Sequence, residues 1–169
     1  MKINDEDYLW FARRALDGMA AILAELGDER VNRRPPLPGA NTPYAIVTHC
    51  LGVLEFWAGS LVAGRSVERD RAAEFTASGP AEEMIERVAA AKEQLCADLA
   101  VAESAAPLRA PAPAKYADTP AARSQGGALQ HVFEELAQHH GQLELTRDVL
   151  LRSPSAKHPR PGRATFDLP

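Results

Sequence analysis

Five histidines, His49, His131, His139, His140 and His158, and two cysteines, Cys50 and Cys96, carry the most versatile side-chain chemistry in this chain. Glu135 and His139 are four residues apart, so on a helix both rise from one face and reach a common cation. His131 lies four residues further back on the same line. A third ligand has to come from another helix, and His49 is the natural candidate. Periodicity leaves alternatives open. His140 and Glu144 are also four apart, on a face turned by about 100°. Either pair also reads as a surface ion pair or as a histidine with its hydrogen bonds satisfied at a helix interface. Cys50 follows His49 directly and points about 100° away from it, a position for buried core rather than for a ligand.

The elements that must position these groups are helical. Ala, Leu, Glu and Arg are good helix formers, and long β-branched or aromatic alternations are missing. A first helix is expected from about Asp5 to Leu26, with Leu9, Leu16, Met19, Leu23 and Leu26 at helical intervals and Gly27 as its stop. The prolines of Arg33–Asn41 make that segment a connector. Thr42-Pro43 then reads as N-cap and first helical residue of a second helix. It carries His49 and Trp57 and ends near Gly64. After a short polar stretch, Ser78-Gly79-Pro80 opens a third helix with the stripe Met84, Val88, Ala91, Leu95 and Leu99. The link from Ala105 to Pro120 is long enough to be functional or loosely ordered. A fourth helix is expected over about Ala121 to Arg152, lined by Leu129, Val132, Leu136, Leu143 and Leu150. The fold class is all-α, a four-helix bundle with long connectors over residues 1–152, followed by a proline-rich, basic tail over 153–169 in which Phe166 and Leu168 are the apolar residues.

Composition narrows the function. Lys plus Arg is 19 and Asp plus Glu is 23, giving a net charge of −4, which argues against a nucleic-acid partner. No apolar run approaches membrane-spanning length on this reading, and the acidic N-terminus lacks a secretory signal pattern. Cys50 and Cys96 match no zinc or redox spacing and read as reduced thiols of a cytoplasmic protein.

The segment Gln130-His131-Val132-Phe133-Glu134-Glu135-Leu136-Ala137-Gln138-His139-His140-Gly141-Gln142, followed by Leu145-Thr146-Arg147-Asp148, resembles the last-helix motif of the DinB-like (damage-inducible) bundle superfamily. Within it, the chain is most similar to the branch that includes mycothiol-dependent maleylpyruvate isomerase. Asn32-Arg33-Arg34-Pro35 and Pro38-Gly39-Ala40-Asn41-Thr42-Pro43 resemble that family's lead-in to the second helix. The resemblance runs over about residues 5 to 152 and implies a metal bound by Glu135, His139 and, on the second helix, His49. His140 stands where many relatives have Arg or Ala, which weakens the His140–Glu144 alternative.

Two His and one carboxylate leave coordination positions open, as in catalytic zinc sites, and also suit ferrous iron or nickel. Zinc is the first choice, because the resembling thiol-dependent enzymes use it. The resemblance further implies a low-molecular-weight thiol such as mycothiol as co-substrate, an electrophilic small molecule as its partner, thiol S-transfer or isomerisation as the reaction, and a homodimer. A bundle that binds a metal or small ligand without turnover is the alternative. No catalytic residue is expected beyond the metal centre. His131, Trp57 and Gln142 are expected around the site, His131 beside Glu135 or the substrate, Trp57 as a pocket wall and Gln142 as a supporting donor. Gly141 is expected to permit a close helix approach.

Overall fold

The computed structural model describes residues 3–152. The expected tail over 153–169, with Phe166 and Leu168, lies outside them. Helix α1, Asp5–Val31, starts where Asn4 caps it by accepting the Asp7 N–H, and three acidic residues in its first turn suit the positive helix end. At Gly27 the backbone leaves helical geometry as expected, with φ +63°, a region open to glycine; past this break a further short helical stretch continues to Val31 and buries it. That last turn has a docking role: Asp28 accepts the Ala81 N–H at 2.8 Å, and the Asn32 amide brackets Gly79 by bonding both its C=O and its N–H.

Helix α2, Pro43–Val53, begins as expected, with Thr42 Oγ1 accepting the Ala45 N–H at 3.1 Å. It runs on without a break into a π-helical segment, Leu54–Val62, which the sequence reading did not anticipate. Pro43–Val62 also corrects the expectation about apolar length. It is 20 residues and has an 18-residue window of mean hydropathy 1.5, enough by length and composition to cross a bilayer, yet 72% of that window is buried inside the bundle. At the end of the π segment Arg65 is gripped by Asp98 and by Glu55, which ties this helix to the next.

The polar stretch that follows contains a short helix, α3, Arg71–Glu74, capped by Asp70. Helix α4, Ala81–Leu99, buries the expected stripe of Met84, Val88, Ala91, Leu95 and Leu99. The long link is ordered by a 3-10 turn, Ala114–Tyr116, and by α5, Pro120–Arg123. Ser124 is extended, so α6 starts at Gln125 and runs to Arg152, rather than from Ala121. Gln125 itself straps the link down, accepting the Glu103 N–H and donating to the Pro107 C=O.

Helix α1 packs against α4 and α6, and the α2–π helix packs against α6 and α4. Among the described residues the secondary structure is entirely helical, and four long helices enclose one core. Leu16, Met19, Leu23, Val47, Trp57, Leu61, Met84, Leu95, Leu136 and Leu143 are fully buried in it. Burying a side chain of this size contributes about 1.5–3 kcal/mol, and these contacts set α2 and α6 side by side.

Candidate metal centre

His49 and Glu135 project toward each other because α2 and α6 are neighbours in the bundle. His139 joins them from one turn further along α6. One ligand atom from each of the three lies within 4.8 Å of the other two, a cluster that no other set of His, Cys, Asp and Glu makes among the described residues. Glu135 Oε2 is the shared vertex, 3.2 Å from His49 Nε2 and 3.3 Å from His139 Nε2. A tetrahedron with bonds of about 2.0–2.1 Å, the zinc–nitrogen and zinc–oxygen range, has edges of roughly 3.3 Å. The spacing therefore fits a small divalent cation.

The distal nitrogens support the same reading. His49 Nδ1 lies 2.7 Å from Glu74 Oε2, and His139 Nδ1 lies 2.8 Å from Gln142 Oε1. A proton on each Nδ1, donated to these acceptors, would leave the Nε2 lone pairs free for a bound cation; without a cation, Nε2–H groups donate to Glu135 Oε2 instead. Such outer partners fix the tautomer and orientation of metal-binding histidines. Gln142 thus touches the site as the sequence suggested, though as an acceptor to His139. Glu74 was not foreseen. It is buried, and Arg69 neutralises it with bonds of 2.6 and 3.1 Å, so the side chains form a chain Arg69–Glu74–His49 aimed at the cluster. Gly52 on α2 leaves the room that Glu74 needs, since a Cβ there would collide with Glu74 Oε1.

Electrostatics match the geometry. Hydrogen bonds from His139 first and His49 second hold the Glu135 carboxyl far below the usual carboxylate range, against the effect of burial. The bond to Glu135 in turn raises the His139 pKa above its ordinary value, with burial opposing and the Gln142 bond adding to the rise. Glu135 is thus an anion throughout the neutral range, and a cation bound here competes with a proton on His139.

Exposure increases across the cluster. The side chain of His49 is 7% exposed, that of Glu135 22% and that of His139 25%, so the ligand atoms line the wall of a cleft. This cleft has a volume of about 350 Å³ and is bounded also by Trp57, Phe75, Tyr116 and His131. Trp57 is both core and wall. Slower winding in the π segment turns it toward the face that carries His49, and its ring meets His131 at 4.6 Å and Tyr116 at 4.9 Å. His131 is a wall rather than an orienting partner of Glu135, because its Nε2 is 3.8 Å from Glu135 Oε1, beyond hydrogen-bond reach. Phe75 stacks on the His49 ring with centroids 5.1 Å apart. Phe75 and Tyr116, like Glu74, come from segments between the main helices, where no periodicity marks them.

Other candidates separate from the site. His140 packs against Gly18 of α1, away from His139, and Glu144 is exposed, so this pair builds no second centre. Cys50 is fully buried, and burial, followed by the charges of Glu135 and Glu74, pushes its thiol well above the usual thiol range. It is core. Gly141 has open space where a Cβ would sit, so the expected close helix approach is absent there.

Comparison with known proteins gives one result of wide coverage. No curated protein and no solved structure matches the chain. A family model described as mycothiol-S-transferase matches residues 6–151, from the first turn of α1 to the last turn of α6 and including every residue of the cluster. With that match and an all-helical DinB-like bundle, the chain belongs to the mycothiol-S-transferase family.

Proposed function

We propose that this protein is a metal-dependent thiol S-transferase that uses mycothiol and a small electrophile, with His49, Glu135 and His139 as the ligands of one divalent cation, zinc first. The observation that carries the reading is the arrangement of three ligand atoms within 4.8 Å whose two imidazoles have their far nitrogens engaged by Glu74 and Gln142. When bound, a divalent cation lowers the pKa of a thiol so that the thiolate is available near neutral pH. Three protein ligands leave a position open for it.

The chain's own residues supply the rest. Glu74 and Gln142 hold the two imidazoles as neutral ligands in the required tautomer. Trp57, Phe75 and Tyr116 form the apolar walls of the cleft and exclude water from the thiolate, which strengthens it as a nucleophile. The thiol proton leaves to solvent, the sulfur forms a bond to the electrophilic carbon, and either a leaving group departs with its bonding pair or, for an activated alkene, the neighbouring carbon takes up a proton. No protein nucleophile is required, consistent with the burial of Cys50.

A reducing compartment such as the cytoplasm suits two free cysteines. A homodimer is supported by the exposed Trp10 and Phe11, which continue onto Phe133 of α6 as an aromatic face. The reaction is tested by incubating metal-free and zinc-loaded protein with mycothiol and a panel of electrophiles. Zinc-dependent, mole-for-mole loss of both reactants is expected. Zinc uptake with no transfer across the panel would overturn the transferase reading in favour of a binding module.

A further inference from the structure

The cleft over the cluster is bounded by three cations, Arg69, Arg71 and Lys115, although the chain as a whole is net acidic. Arg69 is committed to Glu74. Arg71 and Lys115 are not so committed, since neither takes part in an ion pair between described residues. Both are nevertheless held in place. The Arg71 guanidinium lies 5.1 Å from the centre of the Phe75 ring, and Phe75 stacks on His49. The Lys115 ammonium lies 4.6 Å from the centre of the Tyr116 ring, which packs 5.0 Å from His131. Each cation is therefore one aromatic ring removed from a histidine of the cleft. One comes from the segment between α2 and α4, the other from the link before α6.

The charge is local to this opening. The adjoining cleft of about 470 Å³, which shares Tyr116, His131 and Glu135, is lined instead by Glu134, Gln130, Gln138 and Thr119. Two unpaired cations at one mouth raise the local concentration of anions and supply charge-assisted hydrogen bonds to them. The thiol co-substrate does not account for them, because its single charge, on sulfur, would be neutralised by a cation held by His49, Glu135 and His139. A second anionic reactant does.

We infer that Arg71 and Lys115 select the electrophile, and that it carries a carboxylate which they bind at the cleft mouth while its reactive carbon faces the thiolate. The inference rests on the transferase reading and names its substrate class. The metal and its ligands place the nucleophile; these two residues read the charge of its target.

The test compares N-ethylmaleimide with 3-maleimidopropionate, which share one reactive alkene and differ by a carboxylate. In both, the thiolate sulfur adds to an alkene carbon and the other carbon takes a proton. Zinc-loaded protein should favour the carboxylate form by roughly tenfold or more in kcat/KM, and R71E or K115E should lose most of that ratio, about one charge-assisted contact each. A binding readout uses the unreactive 3-succinimidopropionate against N-ethylsuccinimide in calorimetric titration, where only the acid should bind the native protein and R71E/K115E should not bind it. Equal rates with both maleimides would overturn the inference and leave the transferase reading standing. A preference that survives in R71E/K115E would assign charge reading to the cation site and overturn it as well. No transfer of either maleimide, with the acid still bound through Arg71 and Lys115, would remove the transferase reading and keep the anion site.

Discussion

Replacing Glu74 by glutamine alters one atom in the chain Arg69–Glu74–His49 and keeps its shape over Gly52. The carboxylate now accepts three contacts: Arg69 Nε at 2.6 Å on Oε1, and Arg69 Nη2 at 3.1 Å and His49 Nδ1 at 2.7 Å on Oε2. Glutamine offers one acceptor and one donor. If its oxygen faces Arg69 Nε, its NH2 faces His49 Nδ1, and His49 must move its proton to Nε2, the nitrogen 3.2 Å from Glu135. If its oxygen faces His49, the NH2 opposes the Arg69 N–H. Either way a charge-assisted hydrogen bond worth about 1.5–3 kcal/mol is lost. Outer partners of metal-bound histidine typically change affinity by roughly 10–100-fold, or about 1.4–2.7 kcal/mol. Competition titration of zinc against a chromophoric chelator should therefore show a dissociation constant raised at least tenfold in E74Q. Metal-free melting curves run in parallel separate this from any loss of fold. Zinc affinity within twofold of the native value would refute the claim that Glu74 orients His49.

Three further outcomes follow from the same geometry. G52A ought to weaken zinc binding by displacing Glu74, even though alanine is the better helix former by about 0.8–1 kcal/mol; unchanged affinity would mean that Glu74 does not need that space. The pH dependence has opposite signs for the two states. The raised pKa of His139 stabilises the metal-free fold fully below about pH 6.5, a contribution lost as pH rises through the folded value. The depressed pKa of Glu135 stabilises it above about pH 4.3, a contribution lost only in strong acid. Since zinc must displace the His139 proton, the rise in melting temperature on adding zinc should grow from pH 6 to pH 8, and a flat or falling profile would contradict it. R65M strands the buried Asp98 carboxylate, and urea unfolding should show a loss of about 2–3 kcal/mol, below the full cost of breaking a buried pair because the Arg65 side chain is 31% exposed.

The parts legible in the sequence were those with a period or a fixed motif. The stripe from Met84 to Leu99 and the line from Leu129 to Leu150 repeat at helical intervals, and Thr42-Pro43 carries its own capping chemistry. His139 and Glu135 share a face by spacing alone; His49, on another helix, was the natural third candidate, and the motif resemblance then implied it as a ligand. What stayed hidden depends on tertiary context. The π segment looks like ordinary helix in sequence, because no residue type or spacing in Leu54–Val62 marks i→i+5 bonding. Gly27 breaks the first helix as its composition suggests, but the short helical stretch beyond it, held by the contacts of Asp28 and Asn32, has no period to mark it. Glu74, Phe75 and Tyr116 sit in short irregular segments, and their roles arise only once those segments fold over the cleft.

The central claim is that His49, Glu135 and His139 hold one divalent cation between α2 and α6. Equilibrium dialysis of metal-stripped protein against buffered zinc, read by elemental analysis, tests it directly. The native chain should take up about one equivalent, while H49A, E135A and H139A, each with a native-like helical circular dichroism spectrum, should take up essentially none. Full zinc occupancy in all three variants, or no uptake by the native chain, would contradict the account.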